Sequence, residues 1–499
     1  MKRIKKEIQS HKIYYFLVFV ILLCAFVLRV WRIDQLLGFY FDQGRDALIV
    51  DQILHGKLTL IGPTTGIEGI FLGPFYYYFL SIGYLLGQGN PAVASIFQTF
   101  FVIVGLLITF LIGRIFFSFR VGLIAMFLMT FSFSQIKLDR WLSNPTPAIL
   151  FGPLTIFFLL LSFNNPNIFL PLSAFSVGLL MQLEASSSFI LMILTFLFII
   201  IFRKKFTPKS IMFACLAFSA TLLPQIIFEL KHDFLITKLL LSFLGGNVQT
   251  TGVSTFQFPT TLTFQNRLDL YAVTFLGELK LDFDKSFSFL FIIFLIASFL
   301  YITKNWSKMA IKLMVIWFYG SLIFFLFYSG NYGSINSYYF IPVLPIFFIF
   351  IALLLEWGFK FKISIPIVAL LLALFLYDQL PMSLSYLSSG VEGDTTIALG
   401  SQVNAVKYVL NNASDKEYNW DAYVPPVIPY TYTYLFKYYG NKYQRMPTDA
   451  QVSTLYTIHE VDISHPDRET AWLKRQAGIG KIIDTQRFGG VTVERRERI

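Results

Sequence analysis

Between two long apolar runs the chain reads GFYFDQGRDALIVDQILHGK, residues 38–57. Asp42, Arg45 and Asp46 stand there at i, i+3 and i+4, so a helix carries them on one face. A helix N-terminus and a neighbouring arginine both hold a carboxylate in its ionised form. A carboxylate of that kind in a cavity is a candidate general base. Ala47, Leu48, Ile49, Val50, Ile53 and Leu54 give the same segment an apolar side, and Asp42 is placed to cap its start. The plain alternative is a capped, ion-paired surface helix. Asp51 lies farther along and reads as structural.

Other polar groups recur beside apolar runs. LDRWLSNPTP supplies Arg140, suited to a phosphate, and Asn144. Gln182 and Glu184 stand at the tip of the apolar hairpin 168–202. FELKHDFLITK supplies Glu229, Lys231, His232 and Lys238, and Tyr338 and Tyr339 open a later apolar run. Each has a structural reading as well: a turn with an arginine reaching to the interface, helix caps, a charge belt and an aromatic belt.

These loops need a scaffold, and composition says which. Of 499 residues 56% are hydrophobic and 14% charged, and mean hydropathy is +0.63, whereas a soluble domain carries about 25% charge. Apolar runs of about 17–22 residues recur, long enough for a bilayer. The expected fold class is an all-α polytopic membrane protein. The expected spans are 13–32, 92–113, 116–136, 146–163, 168–183, 187–202, 210–229, 286–303, 309–328, 339–357 and 363–380. The net charge of +11 resides in short loops at span ends (Arg114, Arg120, Arg203, Lys204, Lys205, Lys209, Lys304, Lys308, Lys360, Lys362). That is the positive-inside pattern, and it argues against nucleic acid as partner. The stretch 70–86, with Gly73-Pro74 and three consecutive tyrosines, decides the parity. If it spans, two basic loops face outward. If it lies at the outer interface, every basic loop is cytoplasmic. The expectation is therefore eleven spans, a cytoplasmic N-terminus in a bacterial plasma membrane, and interfacial juxtamembrane helices in a first outer loop at 33–91. A large outer loop follows at 230–286. All the polar loops above then share one face.

From about 381 to 499 the composition becomes mixed, and a small extracytoplasmic α/β domain is expected. Val403, Val406, Val409 and Leu410 have helical spacing, while KIIDT and VTVERRE alternate as strands do. Residues 1–380 form the expected transmembrane domain.

Several function classes lack support. Cys24 and Cys215 lie in apolar runs, the five histidines have no ligand spacing, and no phosphate-binding glycine loop occurs. Helix centres carry almost no charge, unlike a transport pathway. What remains is a base, cations for a phosphate and an apolar slot for a lipid tail on one membrane face. That set suits sugar transfer from a lipid-linked phosphosugar. The alternative is a transporter or flippase of a lipid-linked glycan, without covalent chemistry.

The first apolar span, FDQGRDALIVDQILHGKL, GPFYYYFLSIGYLLG, RWLSNP and YYFIPVLP together resemble the phospholipid carrier-dependent glycosyltransferases of the GT-C superfamily (glycosyltransferase family 39). These include the protein O-mannosyltransferases and the aminoarabinose transferases of lipid A. The resemblance runs over about residues 10–380 and is strongest at 36–160. It implies a membrane glycosyltransferase that uses a polyprenyl-phosphate-linked sugar and inverts at the anomeric carbon. The acceptor would be a protein, lipid or glycan hydroxyl. It implies Asp42 as catalytic base, alone or with Asp46, and Arg45 near the carrier phosphate. The substrate-binding candidates are Arg45, Glu68, Tyr77, Arg140, Asn144, Gln182, Glu184, Lys231, His232, Tyr338 and Tyr339. No metal is implied as obligatory, with a divalent ion at Asp42 and Asp46 as the alternative. The chain departs from the family at Gln43, where many members carry Glu.

Overall fold

The structure is a computed structural model that describes residues 12–65, 69–244, 264–279, 288–328, 335–358, 365–425 and 428–499. A helix stands at each of the eleven apolar stretches: α1 Lys12–Val30, α5 Pro91–Phe116, the broken pair α6 Phe119–Phe131 and α7 Phe133–Asp139, α8 Ala148–Leu161, α9 Pro166–Met181, α10 Ala185–Ile201, α11 Pro208–Lys231, α14 Ser288–Lys304, α15 Met309–Leu326, α16 Leu344–Gly358 and α17 Ile365–Ser388. Shorter helices are α2 Ile33–Leu36, α3 Phe41–Leu54, α4 Phe75–Leu86, α12 Leu235–Leu244 and α13 Phe264–Tyr271.

Among the described residues α1, α5, α11, α15 and α17 are long and apolar enough to cross a membrane, and α6 with α7, bent by 72°, forms a sixth candidate. The chain is an integral membrane protein. The other apolar helices have 10–17 residues, about 15–26 Å at 1.5 Å per residue. That is shorter than the roughly 30 Å hydrocarbon core, so length by itself does not count them as spans. At 12 residues, α4 is among the shortest. It lies between α3 and α5 and buries Tyr76, Tyr77, Phe79, Leu80 and Tyr84.

Local chemistry places the helix ends. Asn90 and Pro91 start α5, the Asn90 side chain accepting from Ala92 N at 3.0 Å, as N-caps and first-position prolines do. Ser132 interrupts the α6–α7 run. Its hydroxyl accepts from Gln135 N at 3.2 Å to cap α7 and donates to Glu278 at 2.7 Å. The C-terminal end of α1 is closed by a distant side chain. Arg140 Nη1 donates to the carbonyls of Leu28, Arg29 and Trp31 at 3.3, 2.9 and 3.0 Å, pairing acceptors that a helix end leaves open.

The basic helix ends gather at one end of the bundle. The Arg114 guanidinium lies over the Tyr15 and Phe119 rings at 5.4 and 5.3 Å, Lys308 over Phe117 at 5.7 Å, and Lys312 over Phe202 at 6.0 Å.

The C-terminal region forms a four-stranded sheet from β1 Asn419–Tyr423, β2 Thr454–Glu460, β3 Gly480–Phe488 and β4 Val491–Arg498, in the order β1-β2-β4-β3. β1 and β2 are parallel and the other pairs antiparallel. Its helices are α18 Leu399–Ala413, α19 Tyr430–Tyr443 and α20 Pro466–Ala477. Val403, Val406, Val409 and Leu410 are buried on α18, as their spacing required. The β3–β4 turn uses Gly489 at φ +61°, which glycine adopts without steric cost. α17 continues to Ser388, past residue 380. α19 packs along α3, and α18 against α2.

Candidate active site

A cavity of about 140 Å³ is lined by Asp42, Arg45, Thr64, Thr65, Leu72, Trp141, Ser143, Asn144, Pro145, Glu184, Ala185, Ser186, Tyr338 and Tyr339. Five separate chain segments meet there, at the end of the bundle to which α1 and α7 direct their C-termini.

α3 contributes the charged wall. Its start is fixed by Gln43, whose Oε1 accepts from Tyr40 N at 3.0 Å. Gln43 is buried, and its side chain serves the helix start. Residues 42, 45 and 46 share a face, as their spacing required. Arg45 Nη1 meets Asp42 Oδ1 at 2.8 Å. Its Nη2 and Nε meet Asp46 Oδ1 at 2.7 and 2.9 Å. The two carboxylates differ in setting: the Asp42 side chain is 56% exposed and that of Asp46 only 3%. Burial pushes the Asp46 carboxyl up to about 6, against the pull of Arg45 and a hydrogen bond from Tyr77. Burial lowers Arg45, yet Asp46 and Asp42 leave it raised and fully charged. Asp46 and Tyr77 therefore hold Arg45 from behind, while Asp42 is half-open to the cavity.

The opposite walls come from residues 141–145, 184–186 and 338–339. Asn144 Nδ2 donates to Leu183 O at 2.5 Å, tying the first two of these segments together. Glu184 caps α10, accepting from Ser186 N, Ser187 N and Ser187 Oγ at 2.8, 2.7 and 2.6 Å. Burial raises its carboxyl against those donors. Trp141 and Tyr338 form an aromatic corner with centroids 5.6 Å apart.

Of the residues singled out in the sequence, Asp42, Arg45, Asn144, Glu184, Tyr338 and Tyr339 line this cavity, and Asp46 and Tyr77 stand behind it. Arg140 does not line it: it is buried against the end of α1. Gln182 is also outside, accepting from Phe75 N at 3.0 Å and donating to Thr221 O, so it sets the start of α4. Lys231 and His232 are exposed at the end of α11, the His232 ring lying 4.2 Å from that of Phe228. Glu68 lies outside the described residues. Asp51 pairs with Lys437 of α19. Trp141, Ser143, Thr64 and Ser186 were not singled out. Trp141 adjoins the conspicuous Arg140, while the others are small polar residues with no sequence signal.

Among the described residues no three His, Cys, Asp or Glu side chains are grouped to hold a metal ion. A guanidinium already stands between Asp42 and Asp46, and both Glu184 oxygens accept hydrogen bonds. This donor set does not fit a divalent ion.

No protein-family model and no curated protein matches the chain. Solved structures do. ArnT from Cupriavidus metallidurans bound to undecaprenyl phosphate matches with TM-score 0.57 at 10% identity, over 98% of each chain. Its apo state gives 0.58 at 12% identity, again over 98% of each. The Archaeoglobus fulgidus oligosaccharyltransferase in complex with Zn and sulfate gives 0.51 at 12% identity, over 89% of this chain and 68% of that one. Agreement over almost the whole length at so low an identity is agreement of architecture: the chain shares the fold of these structures.

Proposed function

We propose that the protein is a membrane glycosyltransferase that moves a sugar from a polyprenyl-phosphate carrier to an acceptor hydroxyl, with Asp42 as general base. One observation carries the reading: Arg45 bridges a half-exposed Asp42 and a buried Asp46 at the wall of a polar, aromatic-cornered cavity. The likeness in fold to ArnT, solved with undecaprenyl phosphate bound, supports the lipid-linked donor.

In this mechanism the Asp42 carboxylate takes the proton of the acceptor hydroxyl. The acceptor oxygen bonds to the anomeric carbon from the face opposite the carrier, the bond from that carbon to the phosphate oxygen breaks, and the carrier phosphate leaves with inverted product. Arg45 offsets the charge on the departing phosphate, and its fixed fork suits phosphate oxygens. Asp46 and Tyr77 are positioning residues for Arg45. Trp141 and Tyr338 offer apolar ring surface to the sugar, with Asn144 and Ser143 as hydroxyl partners.

The topology follows the same logic. With all eleven helices spanning and α4 at the interface, the basic ends gathered around Tyr15, Phe117 and Phe202 face the cytoplasm. The cavity and the C-terminal sheet then face outward, where no nucleotide sugar is needed. The division into a transmembrane domain (1–380) and an outer α/β domain (381–499) belongs to this reading.

Asp42→Asn tests it. In membranes given a labelled polyprenyl-phosphate sugar, transfer is expected to fall about a thousandfold, within the range for removing a general base, with Tm unchanged. Full transfer by this variant would refute Asp42 as base.

A further inference from the structure

We infer that α19 of the C-terminal region positions the active site, acting as a stop against which α3 is registered; the functional part of this inference rests on the glycosyltransferase reading. α3 has two working faces. Asp42 and Arg45 line the cavity, with Asp46 buried behind them. Gly44, two residues from Asp42 and so about 200° around the helix, looks the other way, and Asp51 follows two turns later on Gly44's stripe.

That second stripe meets α19 without clearance. A Cβ on Gly44 would lie 2.6 Å from the Tyr430 carbonyl carbon and 2.7 Å from Thr431 Cα. These are backbone atoms at the first turn of a helix, and a rotamer change cannot move them aside. Above this contact Thr431 Oγ1 donates to Phe39 O at 3.2 Å. Below it the Lys437 ammonium pairs with Asp51. The close approach fixes depth, and the two polar ties fix rotation and position along the axis. Arg45 immediately follows Gly44, so displacing α3 at this point moves both groups of the proposed chemistry. Catalytic geometry is sensitive to shifts of about 1 Å.

The test uses the full chain in detergent. Gly44→Ala is informative because alanine favours helix over glycine, so a loss cannot come from weakening α3 itself. It is expected to lower kcat for labelled polyprenyl-phosphate sugar at least tenfold, to change KM less than threefold, and to raise amide exchange in α3 at least fivefold. Asp51→Lys and Lys437→Asp are each expected to lower kcat about threefold and loosen α3. The double variant, which restores an opposite pair, is expected to recover both. Wild-type kcat and α3 exchange in Gly44→Ala would overturn the inference, as would failure of the double variant to recover α3 protection. If wild-type protein transfers no sugar, the glycosyltransferase reading fails, and exchange in α3 still decides whether α19 registers it.

Discussion

Two arginine–aspartate clusters stand at the same end of the bundle, and they behave differently. At the end of α1, Arg29 meets Asp139 at 2.6 Å with both side chains essentially sealed, 0% and 2% exposed. Arg29 also donates to the carbonyls of Ala25, Thr130 and Met129, and Gln135 donates to the second Asp139 oxygen. On α3, Arg45 meets Asp42 and Asp46, but Asp42 stays half-open and lines a cavity. The first cluster has its hydrogen bonds directed inward and fastens α1 to the broken pair α6–α7. The second is closed on one side only. Residue type does not distinguish a fastening from a site; the direction left open does.

Asp42→Asn, with its thousandfold loss of transfer and unchanged Tm, is the largest functional effect expected. Arg29→Met is expected to do the reverse. It leaves Asp139 buried without its cation, a change that costs about 3–5 kcal/mol, so the protein should accumulate poorly and melt early in thermal scans. Equal loss of transfer at undiminished stability would show the α1 cluster to be part of the chemistry.

A smaller effect sharpens the inner half of the α3 cluster. The Asp46 carboxyl, raised by burial to about 6, binds its proton more tightly folded than unfolded, where an aspartate titrates near about 3.9. Its contribution to stability is therefore fully present below about pH 4 and is lost as pH rises to about 6. Tm of wild type relative to Asp46→Asn should fall across that window and stay level above it. A flat difference would place Asp46 outside the buried pair. The smallest effect concerns Gln43. Its Oε1 accepts from Tyr40 N, and a glutamate oxygen accepts equally well. Gln43→Glu keeps that cap but puts a carboxyl at a buried position, where its charged form is disfavoured, so Tm relative to wild type should be lower at about pH 8 than at about pH 5, while transfer should change by less than about twofold. A large gain would mean that a second carboxylate beside Asp42 serves the reaction.

Gln43 also shows how far the sequence was readable. As a letter it departs from a familial pattern. As a side chain it closes the start of α3, and the departure leaves the site without a gap. Arg45 and Arg140 look alike in sequence, each beside a membrane-edge aspartate. One lines the cavity and the other closes the end of α1, because the end of α7, 110 residues on from Arg29, brings Asp139 and its neighbour Arg140 to that helix. Ser143, Thr64 and Ser186 gave no signal, since small polar residues become site residues only by position.

By itself the sequence determined the membrane class, the eleven helical stretches, the face shared by Asp42, Arg45 and Asp46, and the clustering of basic residues at helix ends. Those properties follow from local periodicity and from transfer energies that each segment carries on its own. Tertiary structure decided which polar groups are sealed and which stay open, and that Gly44 must be a glycine. Burial, backbone clearance and the direction of a free lone pair depend on segments hundreds of residues apart, and no window along the chain contains them.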